Sequence, residues 1–193
     1  IARVGGTKDP DHAAIAALSP DLVLCNAEEN RAPDLEALAR RHRVDVSHPR
    51  RAADVPPLLR RFGALTGTEA HAEGWARAVE EKLAAARPSR PTRFACLVWK
   101  GPFMAAAGGT YISDLLETFG GVNVFPAGIG DWPGTDGEQL AALAPDLLVL
   151  PDEPYRFADG DRAEWTARLP RTRVALASGE DLSWHGVRTL RGL

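Results

Sequence analysis

The sequence is poor in the features that mark most functional classes. Only two cysteines occur, Cys25 and Cys96. Each sits inside an apolar segment with no CxxC spacing, so buried free thiols fit better than a disulfide framework. No apolar run approaches the roughly 18 residues that a membrane-spanning helix needs; Ala13–Leu18 and Ala95–Trp99 are among the longest. The net charge is only −3, with 23 basic and 26 acidic residues, which lacks the basic excess of a nucleic-acid binder and the imbalance of a disordered chain. Phosphate loops, dinucleotide fingerprints and nucleophile elbows are absent. The five histidines, at positions 12, 42, 48, 71 and 185, are scattered without HxxxH or HExxH spacing, so a metal site of the protein's own has no signature. The chain opens at Ile1 with no basic and apolar leader.

What is present is a repeat. Ile15-Ala-Ala-Leu-Ser-Pro-Asp-Leu-Val-Leu-Cys-Asn-Ala-Glu28 is matched by Leu140-Ala-Ala-Leu-Ala-Pro-Asp-Leu-Leu-Val-Leu-Pro-Asp-Glu153, at an offset of 125. Each copy reads as a helix end, a Pro-Asp turn that stops it, and a short continuous apolar strand, 21–25 or 146–150. An unbroken apolar strand after a helix points to a parallel sheet covered on both faces. Before the second copy stand a strand (93–99), a Gly108-Gly109-Thr110 turn, a helix (111–119) and a strand (122–125). The first copy lacks this leader, so it is expected to be short of roughly 30 to 40 N-terminal residues holding a strand and a helix, about one β-α unit.

The linking region reads as helical. Thr66-Gly-Thr-Glu69 has the form of a capping box, and Ala72, Trp75, Val79, Leu83 and Ala86 make an i, i+3/i+4 stripe ending before Pro88. A helix of roughly 20 residues would span about 30 Å. Helices are expected at 9–18, capped by Asp9, at 33–42, and at 136–143 behind a second capping box, Thr135 to Glu138. Strands are expected at 44–47 and 173–177. These patterns give three segments: an N-terminal lobe (1–52), an inter-lobe helical backbone (53–88) and a C-terminal lobe (89–193).

Ligands of open parallel α/β sheets bind beyond the carboxyl ends of the strands. There the sequence places Trp99 and Phe103 after 93–98, Glu153 and Tyr155 after 146–150, and Trp184, His185 and Arg188 after 173–177; Trp132 lies in a Gly- and Pro-rich loop. Flat aromatic walls with an arginine and a few carboxylates suit a large, planar, partly charged ligand.

Three sets of residues resemble the cobalamin and iron-siderophore substrate-binding proteins of ABC importers, the metal-chelate receptors with a helical backbone. They are Val4-Gly-Gly-Thr-Lys-Asp-Pro with Leu18-Ser-Pro-Asp-Leu-Val-Leu; Gly108-Gly-Thr-Tyr-Ile-Ser-Asp-Leu-Leu-Glu with Gly120-Gly-Val-Asn-Val-Phe125; and Leu143-Ala-Pro-Asp-Leu-Leu-Val-Leu-Pro-Asp-Glu-Pro-Tyr-Arg-Phe157 with Trp184-His-Gly-Val-Arg188. The resemblance implies two Rossmann-like lobes with parallel sheets, joined by a long rigid helix, the first lobe N-terminally truncated. It implies a non-catalytic protein that captures a metal chelate, a cobalamin-like corrinoid, haem or a ferric siderophore, between its lobes and delivers it to an ABC permease. No intrinsic cofactor is implied, because the ligand brings its own metal. Trp99, Phe103, Trp132, Tyr155 and Trp184 would wall the ligand, His185 would hydrogen-bond it and Arg188 would pair with its acidic groups. Asn26 stands where some relatives carry an aromatic, which argues against a cobalamin-like stacking wall at that point. The repeat-equivalent Glu28 and Glu153 would dock on the permease or line the cleft. The implied location is extracytoplasmic, periplasmic or lipoprotein-tethered; a cytoplasmic corrinoid- or metallophore-binding protein without a transporter, and an enzyme on the same scaffold, are the alternatives.

Overall fold

The structure is a computed structural model describing residues 1–88 and 90–193. Ser89, where the expected C-terminal lobe begins, lies outside the described residues. The chain divides into two compact units, Ile1–His48 and Pro49–Leu193.

In the first unit a short antiparallel pair, β1 (Gly5–Gly6) and β2 (Asp9–Pro10), precedes α1 (His12–Ala17), β3 (Val23–Asn26), α2 (Ala32–Ala39) and β4 (Val44–Ser47). Asp9 belongs to β2, and Asp11 is the residue that caps α1, accepting from the Ala14 N–H at 2.9 Å. Strands β3 and β4 pair in parallel, and Ile15, Cys25 and Leu38 form the buried core against them.

The second unit begins with a 3-10 turn (Ala52–Asp54), α3 (Val55–Thr66) and α4 (Glu69–Ala85). Gly67, at φ 68°, closes α3 in the left-handed conformation that glycine adopts without penalty. The expected capping box at Thr66 does not form. Thr66 is the last residue of α3, its hydroxyl donates to the Phe62 carbonyl at 2.8 Å, and Thr68 stands at the start of α4 without a side-chain cap. The inner face of α4 is Ala72, Ala76 and Val79; Trp75 lies beside that stripe and is 46% exposed, contrary to its expected place in the core.

Next come β5 (Thr92–Trp99), β6 (Phe103–Ala105), α5 (Tyr111–Thr118), β7 (Gly121–Asn123) and β8 (Gly134–Thr135). They are followed by α6 (Gly137–Leu143), β9 (Leu147–Pro151), α7 (Asp159–Arg168), β10 (Arg173–Ala177), α8 (Gly179–Ser183), a 3-10 turn (Gly186–Arg188) and α9 (Thr189–Gly192). The sheet runs β10-β9-β5-β6-β8, with β7 also paired to β5. Strands β10, β9, β5 and β7 are parallel, whereas β6 and β8 are added antiparallel. Strand β5 is buried from Phe94 to Val98 because both faces are covered: Ala95 and Leu97 enter one core cluster, Phe94, Cys96 and Val98 another. Trp165 of α7 and Leu169 just after it close the first layer and Ile112 of α5 the second.

The repeat is visible in atomic detail. Asp136 caps α6 by accepting from the Gln139 N–H at 2.8 Å, 125 residues after Asp11 and Ala14. This replaces the expected Thr135–Glu138 box. Ser19 and Ala144, 125 apart and each before a proline, adopt positive φ of 46° and 45°. Proline disfavours the α conformation in the residue before it, so both helices end at the same point.

Candidate functional site

Three adjacent parallel strands, β5, β9 and β10, end side by side, and the loops that leave them are tied together. Trp99 ends β5 and is 43% exposed. Its ring meets the edge of Tyr155 at 6.0 Å, and Tyr155 packs on the buried Phe157 at 4.7 Å. The Tyr155 N–H donates to the Val98 carbonyl at 3.3 Å, fixing the β9 loop against the end of β5. An exposed aromatic is thus anchored through a half-buried one to the core.

The β9 and β10 loops meet at Gly179. Its N–H donates to Asp152 Oδ1 at 2.7 Å, and a Cβ on Gly179 would stand 2.3 Å from the Glu153 carbonyl oxygen. Glu153 is therefore held by its backbone beside the start of α8. Beyond α8, Trp184 is 52% exposed. His185 is half-buried with its ring edge-on to Tyr111 at 6.0 Å. The Tyr111 hydroxyl shares a 2.7 Å hydrogen bond with the hydroxyl of the fully buried Thr189. Burial pushes the Tyr111 phenol up to about 12, so it stays neutral at physiological pH.

The charged side chains here are engaged. Arg188 Nε donates to Asp181 Oδ1 at 2.7 Å, and its Nη2 donates to Glu180. Lys100, next to Trp99, donates to Asp161 at 2.5 Å and Glu164 at 3.2 Å. The Asp161 carboxylate beside it raises the Lys100 ammonium above its ordinary value, and Lys100 in turn lowers Asp161. Trp132, 37% exposed, follows Asp131, whose carboxylate takes both terminal nitrogens of Arg50 at 2.6 Å each. That bidentate pair fixes one end of the glycine-rich loop.

Of the residues expected at the site, Trp99, Tyr155 and Glu153 are brought to neighbouring strand ends, and Trp184, His185 and Arg188 lie in the β10 loop. Phe103 is not among them: β6 turns back antiparallel to β5, and the ring packs at 5.0 Å on the fully buried Trp165. Glu28 lies in the first unit, with its carboxylate 3.8 Å from His48 Nε2. There Asn26 closes the end of β3, its Oδ1 accepting from the Glu28 and Glu29 N–H groups. The partners Lys100, Tyr111, Gly179 and the acids on Arg188 were missed. Only Asp181, seven residues before Arg188 in the same loop, carried a signal.

Among the described residues no group of three or more His, Cys, Asp or Glu side chains converges to hold a metal ion. Burial pushes the Cys96 thiol up to about 12, which leaves it a packing group. A groove of about 650 Å³ lined by Ala78, Lys82, Phe119 and Leu193 contains none of the candidate residues.

Parallel α/β layers that display anchored aromatics and paired charges beyond the strand ends present these groups where open α/β sheets bind ligands. The chain belongs to the periplasmic binding protein family, whose model matches residues 1–164. This is a family of solute-binding proteins, not of enzymes. Comparison with curated proteins gives no match. Among solved structures, the periplasmic vitamin B12 binding protein BtuF of Vibrio cholerae superposes with a TM-score of 0.83 at 18% identity, covering 100% of this chain and 78% of its own. The apo form of the periplasmic heme-binding protein RhuT from Roseiflexus sp. RS-1 gives 0.78 at 21%, covering 96% and 77%. The periplasmic heme-binding protein HutB of Vibrio cholerae gives 0.79 at 17%, covering 98% and 80%. At these identities the likeness establishes the fold.

Proposed function

We propose that this protein is the receptor of an ABC importer for a metal chelate of the corrinoid, haem or ferric-siderophore class, working outside the cytoplasm. The observation that carries the reading is the aromatic series Trp99–Tyr155–Phe157, exposed at one end and rooted in the core at the other, at the carboxyl ends of parallel strands. Structural neighbours named for vitamin B12 and heme support it. Among the described residues no helix is long and apolar enough to cross a membrane.

In this reading Trp99, Trp132, Tyr155 and Trp184 supply flat apolar surface, while His185 hydrogen-bonds the ligand's polar rim. Phe103 acts from behind, stiffening the wall through Trp165. The metal arrives within the chelate. Glu28 and Glu153, equivalent in the repeat, contact the permease or the ligand, and helices 53–88 form the backbone between lobes.

Calorimetric titration of the protein with cobalamins, haemin and ferric siderophores tests the reading. At least one chelate is expected to bind in the micromolar range or below, and no binding tighter than about millimolar would overturn it. The Trp99→Ala variant is expected to lower the melting temperature only by a few degrees, because the ring is 43% exposed and lies outside the core clusters. Its chelate affinity should fall about tenfold or more, the loss of a stacked aromatic surface.

A further inference from the structure

The charge around the strand ends narrows the ligand class, and the inference rests on the receptor reading above. The cations of these loops are each engaged by carboxylates of the protein's own. Arg188 lies between Glu180 and Asp181; Lys100 between Asp161 and Glu164, the latter shared with Arg168; Arg50 against Asp131. The β9 loop adds two further carboxylates, Asp152 and Glu153, against the exposed Arg156. These groups together hold five cations and seven carboxylates. Arg188, the group best shaped to grip an acidic ligand, has its guanidinium turned onto two carboxylates of its own loop.

An anionic chelate would have to displace Glu180 or Asp181 from Arg188 and then lie beside the displaced acid. It would also face Glu153 and Asp152 with one exposed arginine in compensation. A neutral chelate meets no such conflict, and a cationic one gains from the excess of carboxylates. We infer that the cognate ligand is a neutral or cationic metal chelate, with amides or hydroxamates at its periphery, and that chelates bearing free carboxylates or catecholates are discriminated against.

The experiment titrates the whole chain with chelates chosen by charge: diaquocobinamide and ferrioxamine B as cations, cyanocobalamin as the neutral member, and haemin and ferric enterobactin as anions. At low salt the best cationic or neutral chelate is expected to bind at least about tenfold more tightly than either anion. The gap should narrow at 1 M salt, where the screening length falls to about 3 Å. It should narrow again in a Glu180→Gln/Asp181→Asn variant, where Arg188 loses its two negative partners. Haemin or ferric enterobactin binding as tightly as the best cationic or neutral chelate would overturn the inference and leave the receptor reading intact. A gap insensitive to salt would overturn it also, whether or not the variant folds. Failure of every chelate to bind would remove the receptor reading, and the inference with it.

Discussion

At Gly179 the loops after β9 and β10 come within van der Waals contact, and no side chain fits there. A Cβ would stand 2.3 Å from the Glu153 carbonyl oxygen and 2.6 Å from its nitrogen, both backbone atoms that move only if the β9 loop moves. Overpacking of this kind costs typically about 1–3 kcal/mol. The Gly179→Ala variant is therefore expected to lose stability in urea denaturation by that amount and to weaken chelate binding through the displaced loop. Gly160, inside α7, has nothing within 4 Å of its missing Cβ. Gly160→Ala should accordingly gain up to about 1 kcal/mol, as glycine is a poor helix former; equal effects at the two positions would refute the packing account. The contrast also marks what a sequence conveys at this scale. Trp99 was legible because it ends an apolar run, and strand ends are where α/β ligands bind. Gly179 was not, since its neighbour Glu153 is remote in sequence. The packing of Phe103 was hidden for a related reason: only the antiparallel pairing of β6 with β5 and β8 brings its half-buried ring against the core.

Helices α3 and α4 are held together by charge as well as by the close approach of Gly63 to Ala72. Arg60 bridges Glu73 at 2.7 Å and Glu80 at 2.6 Å, and Arg77 reaches Glu73 at 2.7 Å. The hydrogen bond from Arg60, with that from Arg77 second, holds the Glu73 carboxyl down to about 2. Because the folded-state value lies below the ordinary carboxylate value, the network stabilises the helix pair above that value. The contribution fades as pH falls from the ordinary value of about 4.5 toward 2. All four groups are substantially exposed, so salt screens the effect and its size is modest. Melting temperature should decline across that pH interval more steeply in the wild type than in Glu73→Gln, and 1 M salt should reduce the difference; parallel curves would exclude the network. Elements of this kind were readable in outline and misread in detail. The Thr-x-x-Glu spacing at Thr66 and Thr135 matches a capping box, but Thr66 completes the helix before it and Asp136 takes the cap of α6. The repeat was the firmer guide, since its 125-residue offset recurs in the caps, in the positive-φ residues before proline and in the strands.

Across the whole molecule the two units differ in how much apolar structure they bury. The second has a six-stranded sheet whose central strand is covered on both faces, with Trp165, Phe94 and Leu97 almost wholly excluded from water. The first rests on a two-stranded parallel pair and three buried apolar side chains, Ile15, Cys25 and Leu38, while Leu24 and Val46 are 45% and 38% exposed. Domains of this small size bury a lower fraction of their surface, and two strands alone are marginal in water. Opening of the first unit should therefore be a sub-global event that leaves the second intact. Hydrogen exchange at neutral pH is expected to show the amides of β3 and β4 exchanging at least about a hundredfold faster than those of β5 and β9, equivalent to about 2.7 kcal/mol of opening free energy. The same amides should lose protection first on heating, before the near-ultraviolet signal of the buried Trp165 changes. Uniform protection across both units would show that they unfold as one cooperative body, and that the first draws its stability from more than its own core.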